Sequence, residues 1–127
     1  MGKMEGNKII AEFMGEKTGT SKRGSLILIH DKPDDDVSHP FSYPQYHTSW
    51  DWLMPVVEKI NSVNNNEYDV IIWRNDCHIN DRTEIIFETS RRKSGELLIE
   101  VVWEAVIQFI TWYNSLTSTP EGLDNIL

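Results

Sequence analysis

A chain of 127 residues with 39% hydrophobic residues and five Trp can bury a core of its own, so a single domain over 1–127 is expected and a disordered chain is excluded. Twenty acidic against twelve basic residues leave a net charge of −8, which argues against sequence-independent binding to nucleic acid or to an anionic membrane surface. One cysteine, Cys77, excludes an intramolecular disulfide. With the polar start MGKMEGNK and no apolar run of about 20 residues, this predicts a soluble protein of the cytoplasm.

Residues 7–14 are predicted to form a first helix, with Asn7 as its cap, Ile10, Phe13 and Met14 on one side, and Gly15 as a left-handed stop. A Gly/Ser/Thr-rich loop follows over 15–24. The compact run SLILIH, 25–30, reads as a strand between turn formers. Residues 31–48 make a long Pro-rich loop in which Pro33, Pro40 and Pro44 block regular structure. Ordered loops of that length are uncommon in compact domains, so this one is expected to be mobile or functional.

A second helix is predicted over 50–63. Thr48 and Asp51 have capping-box spacing, Pro55 should distort the first turn, and Trp52, Val56, Ile60 and Val63 face the core. Asn64, Asn65 and Asn66 end it, since Asn tolerates the left-handed conformation. Strands near 68–73, 77–80 and 83–88 then form an antiparallel meander through turns at 74–76 and 81–82.

The strongest pattern is the predicted helix over 95–116. Leu98, Val102, Ala105, Phe109, Trp112 and Leu116 repeat at spacings of four and three, and Ile99, Trp103, Val106, Ile110 and Tyr113 run beside them. So wide an apolar face must be covered on most sides, which makes this helix the expected spine of the core. Beyond it, Pro120 suggests one more helical turn, with Leu123, Ile126 and Leu127 free to dock. The order reads as an α+β fold, a small antiparallel sheet packed against helices.

Four stretches carry a family resemblance: KIIAEFMG (8–15), YHTSWDWLMPVVEKI (46–60), the strand with Cys77 and Ile79, and EVVWEAVIQFITWYN (100–114). In the same order, they resemble a group of short, uncharacterised proteins of tailed phages and prophages of Bacteroidota. The WDWLMP run is the specific part. The resemblance implies phage origin and expression in a bacterial host cell, and it carries no activity, ligand or catalytic residue with it.

The best candidate site is the basic linker Arg91, Arg92 and Lys93 before Ser94 and Gly95. Free backbone N–H groups at a helix start, the helix dipole and cations together can hold a phosphate or carboxylate; the plainer reading is a solvated turn and an ordinary cap. Tyr43, Tyr46, His47 and Trp50 could line a pocket that stacks a ring, although loop packing explains aromatic residues as well. His47, Ser49 and Asp51 cannot form a catalytic relay by adjacency, and no nucleophile elbow surrounds Ser49. Cys77, His78, His30, His39 and His47 show neither CxxC nor HxxxH spacing, and Cys77 and His78 should face opposite ways on a strand. Asp31 with Asp34, Asp35 and Asp36 lacks the alternation of a calcium loop and reads as a solvated acidic segment. No metal and no cofactor is therefore expected.

By analogy with small acidic phage proteins that lack catalytic motifs, the expected role is non-enzymatic and counter-defence in type. Such a protein would sequester a nucleotide-like, phosphate-bearing small molecule or block a host protein. Two alternatives stand beside it. One is an interaction module that forms a homodimer through the apolar C-terminal helix. The other is a small enzyme using His47, Asp51 or His78.

Overall fold

The computed structural model describes residues 2–29, 41–92 and 95–117. Its centre is α3 (Leu98–Thr117), in which both apolar registers are used. Val102, Ala105 and Phe109 of one and Ile99, Val106 and Ile110 of the other are buried, together with Val101 and Ile107. This is possible because α3 packs on a sheet, on α1 (Lys3–Phe13) and on α2 (Trp50–Asn66). The fold class is α+β, with three helices and two three-stranded antiparallel sheets among the described residues.

The first helix begins at Lys3, four residues before the expected cap. Asn7 lies inside it at 3% exposure, its side chain committed to partners across the core rather than to a local N–H. Just before it, Gly6 gives the approach to α3. An added Cβ there would come within 2.6 Å of Ile107 Cδ1 and 2.8 Å of Trp103 Cη2, closer than packed carbons tolerate. The helix ends as expected at Gly15, φ +78°. The Glu16 N–H donates to Ala11 O and the Gly15 N–H to Glu12 O, the two bonds of a Schellman stop.

The expected strand at 25–30 is present as β2 (Leu26–Ile29), but it does not join the meander. It pairs with β1 (Thr18–Thr20) on one side and β3 (Phe41–Ser42) on the other. The polar TGT strand was invisible to a hydrophobic pattern. It exists because the turn at Ser21–Ser25, closed by Ser21 N–H to Ser25 O at 2.8 Å, returns the chain beside an apolar partner. β3 likewise falls within the segment read as Pro-rich loop.

In α2 the N-cap position is Ser49, and Thr48 instead donates its hydroxyl to Gln45 Oε1 at 2.9 Å. Pro55 is accommodated within the helix, whose regular part ends where the sequence pattern ends it. Val63 leaves helical ψ, and Asn64, Asn65 and Asn66 all take positive φ. Three left-handed residues in succession are costly, and the chain holds them from outside. Tyr113 Oη donates to Asn64 Oδ1 at 3.2 Å, and Arg82 Nη2 to Asn65 O at 3.2 Å.

The meander is β4 (Asp69–Ile72), β5 (Asp76–Asn80) and β6 (Ile85–Ser90). β6 starts later than the expected 83 because the Asp81 carboxylate takes the Thr83 and Glu84 N–H groups, both at 2.8 Å, and holds those residues in a turn. Cys77 and Ile79 of β5 are fully buried on the side that meets α3. Thr89 of β6 reaches the same side and donates to Val101 O at 2.8 Å. Asp76, His78 and Asn80 therefore lie on the opposite face.

α3 begins at Leu98, not at 95. Gly95 occupies a turn at φ +87°, a conformation that favours glycine and stands outside a helix. Leu97 takes the cap position. Its C=O accepts from Glu100 and Val101, and its N–H donates over 3.4 Å to Glu100 Oε1, the return half of a capping box without its hydroxyl. No helix among the described residues is long and apolar enough to cross a membrane.

Candidate functional site

Two depressions are linked by the hydrogen bond between Trp103, in one, and Asn7, in the other. The larger, a groove of about 730 Å³ along α3, has Phe87, Trp103, Ile107 and Trp112 as its apolar walls. Arg92, Glu104, Gln108 and Ser115 supply its polar groups. The groove follows from the helical period: Trp103, Ile107 and the strip Glu104, Gln108, Thr111, Ser115 lie where neither sheet nor helix covers α3 completely.

The smaller cleft, about 270 Å³, lies between α1 and the segment around Pro44, with Lys3, Asn7, Tyr43 and His47 in its lining. Asn7 joins the two depressions. Its Oδ1 accepts the Trp103 indole N–H at 2.9 Å, and its Nδ2 stands 2.9 Å from His47 Nδ1 and 3.5 Å from Pro44 O. Because an indole nitrogen can only donate, the amide oxygen of Asn7 is fixed toward Trp103 and the NH₂ toward His47. His47 Nδ1 must then accept, which selects the neutral ring with its proton on Nε2.

Burial lowers the His47 pKa most, the positive charge of Lys3 lowers it further, and Glu100 opposes both. The sign of the consequence is definite. A histidine whose pKa is lower in the folded state contributes stability that is complete above its ordinary 6.5 and is lost as pH falls toward the folded value. The urea midpoint of the protein should therefore drop as pH falls below that value. In His47→Gln, which keeps an amide partner for Asn7 but cannot titrate, the drop should be smaller. Equal slopes in both proteins would show that His47 is free to charge in the fold.

The expected anion site is differently arranged. Arg92 donates from its guanidinium to Glu104 and from its backbone N–H to Glu96 Oε1 at 2.6 Å. Arg91 is exposed, with its N–H on Asn75 O. Gly95 is in its turn, and Lys93 and Ser94 lie outside the described residues. Two carboxylates, Glu96 and Glu104, thus already accept from Arg92, and Glu100 takes the Leu97 N–H at the helix start.

The aromatic candidates separate as well. Tyr43 is exposed and lines the cleft with His47. Tyr46 is buried edge-on against Trp52 at 5.3 Å, and burial, with a smaller push from Glu16, raises its hydroxyl to about 12. Trp50 is exposed at the start of α2. Arg92 belongs to the α3 groove, Tyr43 and His47 to the cleft and Tyr46 to a further depression, so the structure does not gather the expected ligand set in one place.

The residues of the enzymatic alternative are also apart. His47 is in the cleft, Asp51 lines a third depression beside Tyr46 and Trp52, and His78 is on the outer face of the meander. Cys77 is a core residue whose thiol burial pushes up to about 12, well away from nucleophilic use at neutral pH. His30, His39, Asp31, Asp34, Asp35, Asp36 and the segment from 118 onward lie outside the described residues.

Sequence reasoning missed Asn7 as a hub and Trp103 as the groove residue bonded to it. The polar strip of α3 was the available signal for the groove, since Gln108 and Ser115 interrupt an otherwise apolar helix. Comparison of the chain with protein-family models, with curated proteins and with solved structures returns no match.

Proposed function

We propose that this protein acts by binding, as a non-enzymatic phage accessory protein of counter-defence type working in the cytoplasm of a bacterial host, and that its ligand seat is the α3 groove. The observation that carries this reading is the groove itself. Its volume of about 730 Å³ falls in the range of small-molecule sites, and its apolar walls with a few polar groups at the mouth fit that class. A planar ring would stack on Trp103 or Trp112, and a phosphate would meet the Arg92 guanidinium.

Glu104 now holds that guanidinium. The Arg92 side chain is 64% exposed, and an ion pair so open to water contributes at most about 1 kcal/mol. A phosphate offering two oxygens to the guanidinium fork can displace a single carboxylate oxygen at that cost. The ligand supported best is thus a ring-bearing phosphate compound of nucleotide class.

Calorimetry with nucleotides, dinucleotides and ADP-ribose derivatives tests the proposal. One of these should bind and, at about 100 times its dissociation constant, stabilise the fold by about 2.7 kcal/mol. Arg92→Ala and Trp112→Ala should each weaken binding about tenfold or more, whereas Glu104→Gln should strengthen it by freeing the guanidinium. If no such compound binds, or if the Arg92 variant binds like the parent, the small-molecule reading is lost.

One further observation favours a protein partner instead. Leu116 is exposed one turn beyond Trp112, extending the apolar line past the groove, as a docking helix would use it. A second copy of the chain seated there should bury more than about 1,200 Å² in a stable dimer. Mass by light scattering distinguishes a homodimer, and a monomer at high concentration would leave a host protein as the partner.

A further inference from the structure

The outer face of the meander, turned away from α3 and its groove, gathers three metal-ligating groups. Asp76 and His78 are two residues apart on β5, so they project from one face. Glu88 on β6 is the cross-strand partner of His78, which brings its side chain to the same place. One ligand atom from each of the three residues lies within 4.8 Å of the others. His78 Nε2 is 2.9 Å from Glu88 Oε2 and 3.7 Å from Asp76 Oδ2. A four-coordinate ion with bonds of about 2.0–2.2 Å sets its ligand atoms about 3.4 Å apart, between those two separations.

A second observation points into the same spot. His78 Nε2 is inaccessible to solvent and has no hydrogen-bond partner. Glu88 Oε2 stands 2.9 Å away as an ion-pair neighbour, with no hydrogen bond formed between the two. A buried ring nitrogen left in this way is unfavourable unless something else satisfies it. The two carboxylates make their ion pairs with His78 and, among the described residues, with no Lys or Arg. A pair of acids set about one imidazole nitrogen lacks balancing charge, and a cation between the three would satisfy all of them.

We propose that Asp76, His78 and Glu88 bind a divalent first-row transition ion of the zinc class. One imidazole nitrogen and two carboxylate oxygens suit Zn²⁺ or Co²⁺, whereas Ca²⁺ and Mg²⁺ prefer shells of oxygen alone. The side chains of Asp76 and Glu88 are 37% and 55% exposed, so the ion enters from solvent and keeps water at its remaining position. The separation of these ligands, adjacent across a sheet rather than clustered in sequence, is why no zinc spacing marks them. The site lies on a formed sheet and is independent of the groove reading.

The full chain, dialysed against a chelator and then against metal-free buffer, is titrated with Zn²⁺ by calorimetry and with Co²⁺ by absorption spectroscopy. One equivalent of Zn²⁺ should bind in the micromolar range or tighter. The Co²⁺ complex should show the visible bands of a four- or five-coordinate ion without a thiolate charge-transfer band, since Cys77 faces the core. His78→Ala and Glu88→Gln should each weaken Zn²⁺ binding by about tenfold or more, and the exposed Glu84→Gln should leave it unchanged. Glu88→Gln replaces an exposed side chain by its isostere, so it remains readable if the histidine variant fails to fold. Absence of saturable binding at millimolar Zn²⁺ would overturn the proposal. So would Zn²⁺ affinity equal in the parent and Glu88→Gln, which would leave His78 as an ion-paired histidine.

Discussion

Phe109→Ala should lower the unfolding free energy by about 3–5 kcal/mol, the usual range for truncating an enclosed aromatic residue. Phe109 has no exposed surface. Its ring stacks on Tyr113 at 5.5 Å, meets Tyr68 edge-on at 4.9 Å and leans on Trp112 at 5.8 Å. Tyr68 is itself buried and further engaged by Trp112 and Tyr113, so the walls of the resulting cavity are rigid rings that cannot close it. The cavity term adds to the transfer term for that reason. Urea denaturation measures the loss, and a value below about 1 kcal/mol would mean that α3 is not the spine of this core. Trp103 has the same claim in the sequence pattern and a different place in the fold. It is only partly buried, in the wall of the α3 groove, so its truncation should cost less than that of Phe109.

The contrast between Phe109 and Trp103 shows where the sequence stops being readable. Period and apolar width identified α3 as the element that everything else covers, because burial follows the helical repeat whatever the partner. Which part of that wide face remains open depends on the neighbours, and the neighbours are set by residues with weak local signals. Gly6 is one of them: in sequence it is a poor helix former near a polar terminus, and in the fold it lets α1 approach Trp103 and Ile107. The sheets show the same division. The meander was legible from its apolar runs and turns, but the partner of 26–29 was not, since β1 and β3 are too short and polar to show a period.

The site was less legible than the fold for an electrostatic reason. A run of three cations before a helix reads as an anion seat only if nearby carboxylates are left out of account. Glu96 and Glu104 lie four and twelve residues from Arg92, and the fold brings both to it. Similarly, Asp76, His78 and Glu88 converge only once strand register is known, because a cross-strand neighbour leaves no fixed spacing in the chain.

Asn7→Ala is expected to cost about 2–4 kcal/mol, the penalty for leaving buried polar groups without partners. Local propensity alone predicts the opposite sign, since alanine is a better helix interior residue than asparagine by about 0.5 kcal/mol, and α1 would gain from the change. The tertiary term should win because two partners are orphaned at once, the Trp103 indole N–H and the His47 ring nitrogen, each 2.9 Å from the amide. If the two bonds form one network, Asn7→Ala and His47→Gln should not be additive. A double-mutant cycle should give a coupling of about 0.5–3 kcal/mol. Asn7→Asp supplies the sharper test. Its carboxylate can still accept from Trp103, but it turns a second acceptor toward His47 Nδ1 in place of a donor. The imidazole must then carry a proton on Nδ1, and its charged form becomes the favoured one. The folded pKa of His47 should rise above its ordinary value instead of falling below it, so its contribution to stability would be present at acidic pH and lost as pH rises through the new pKa. Urea midpoints measured across that range for the parent and Asn7→Asp should thus show His47 contributions of opposite slope. Parallel profiles would mean that Asn7 does not set the state of His47, and that the bridge between the two depressions is packing alone.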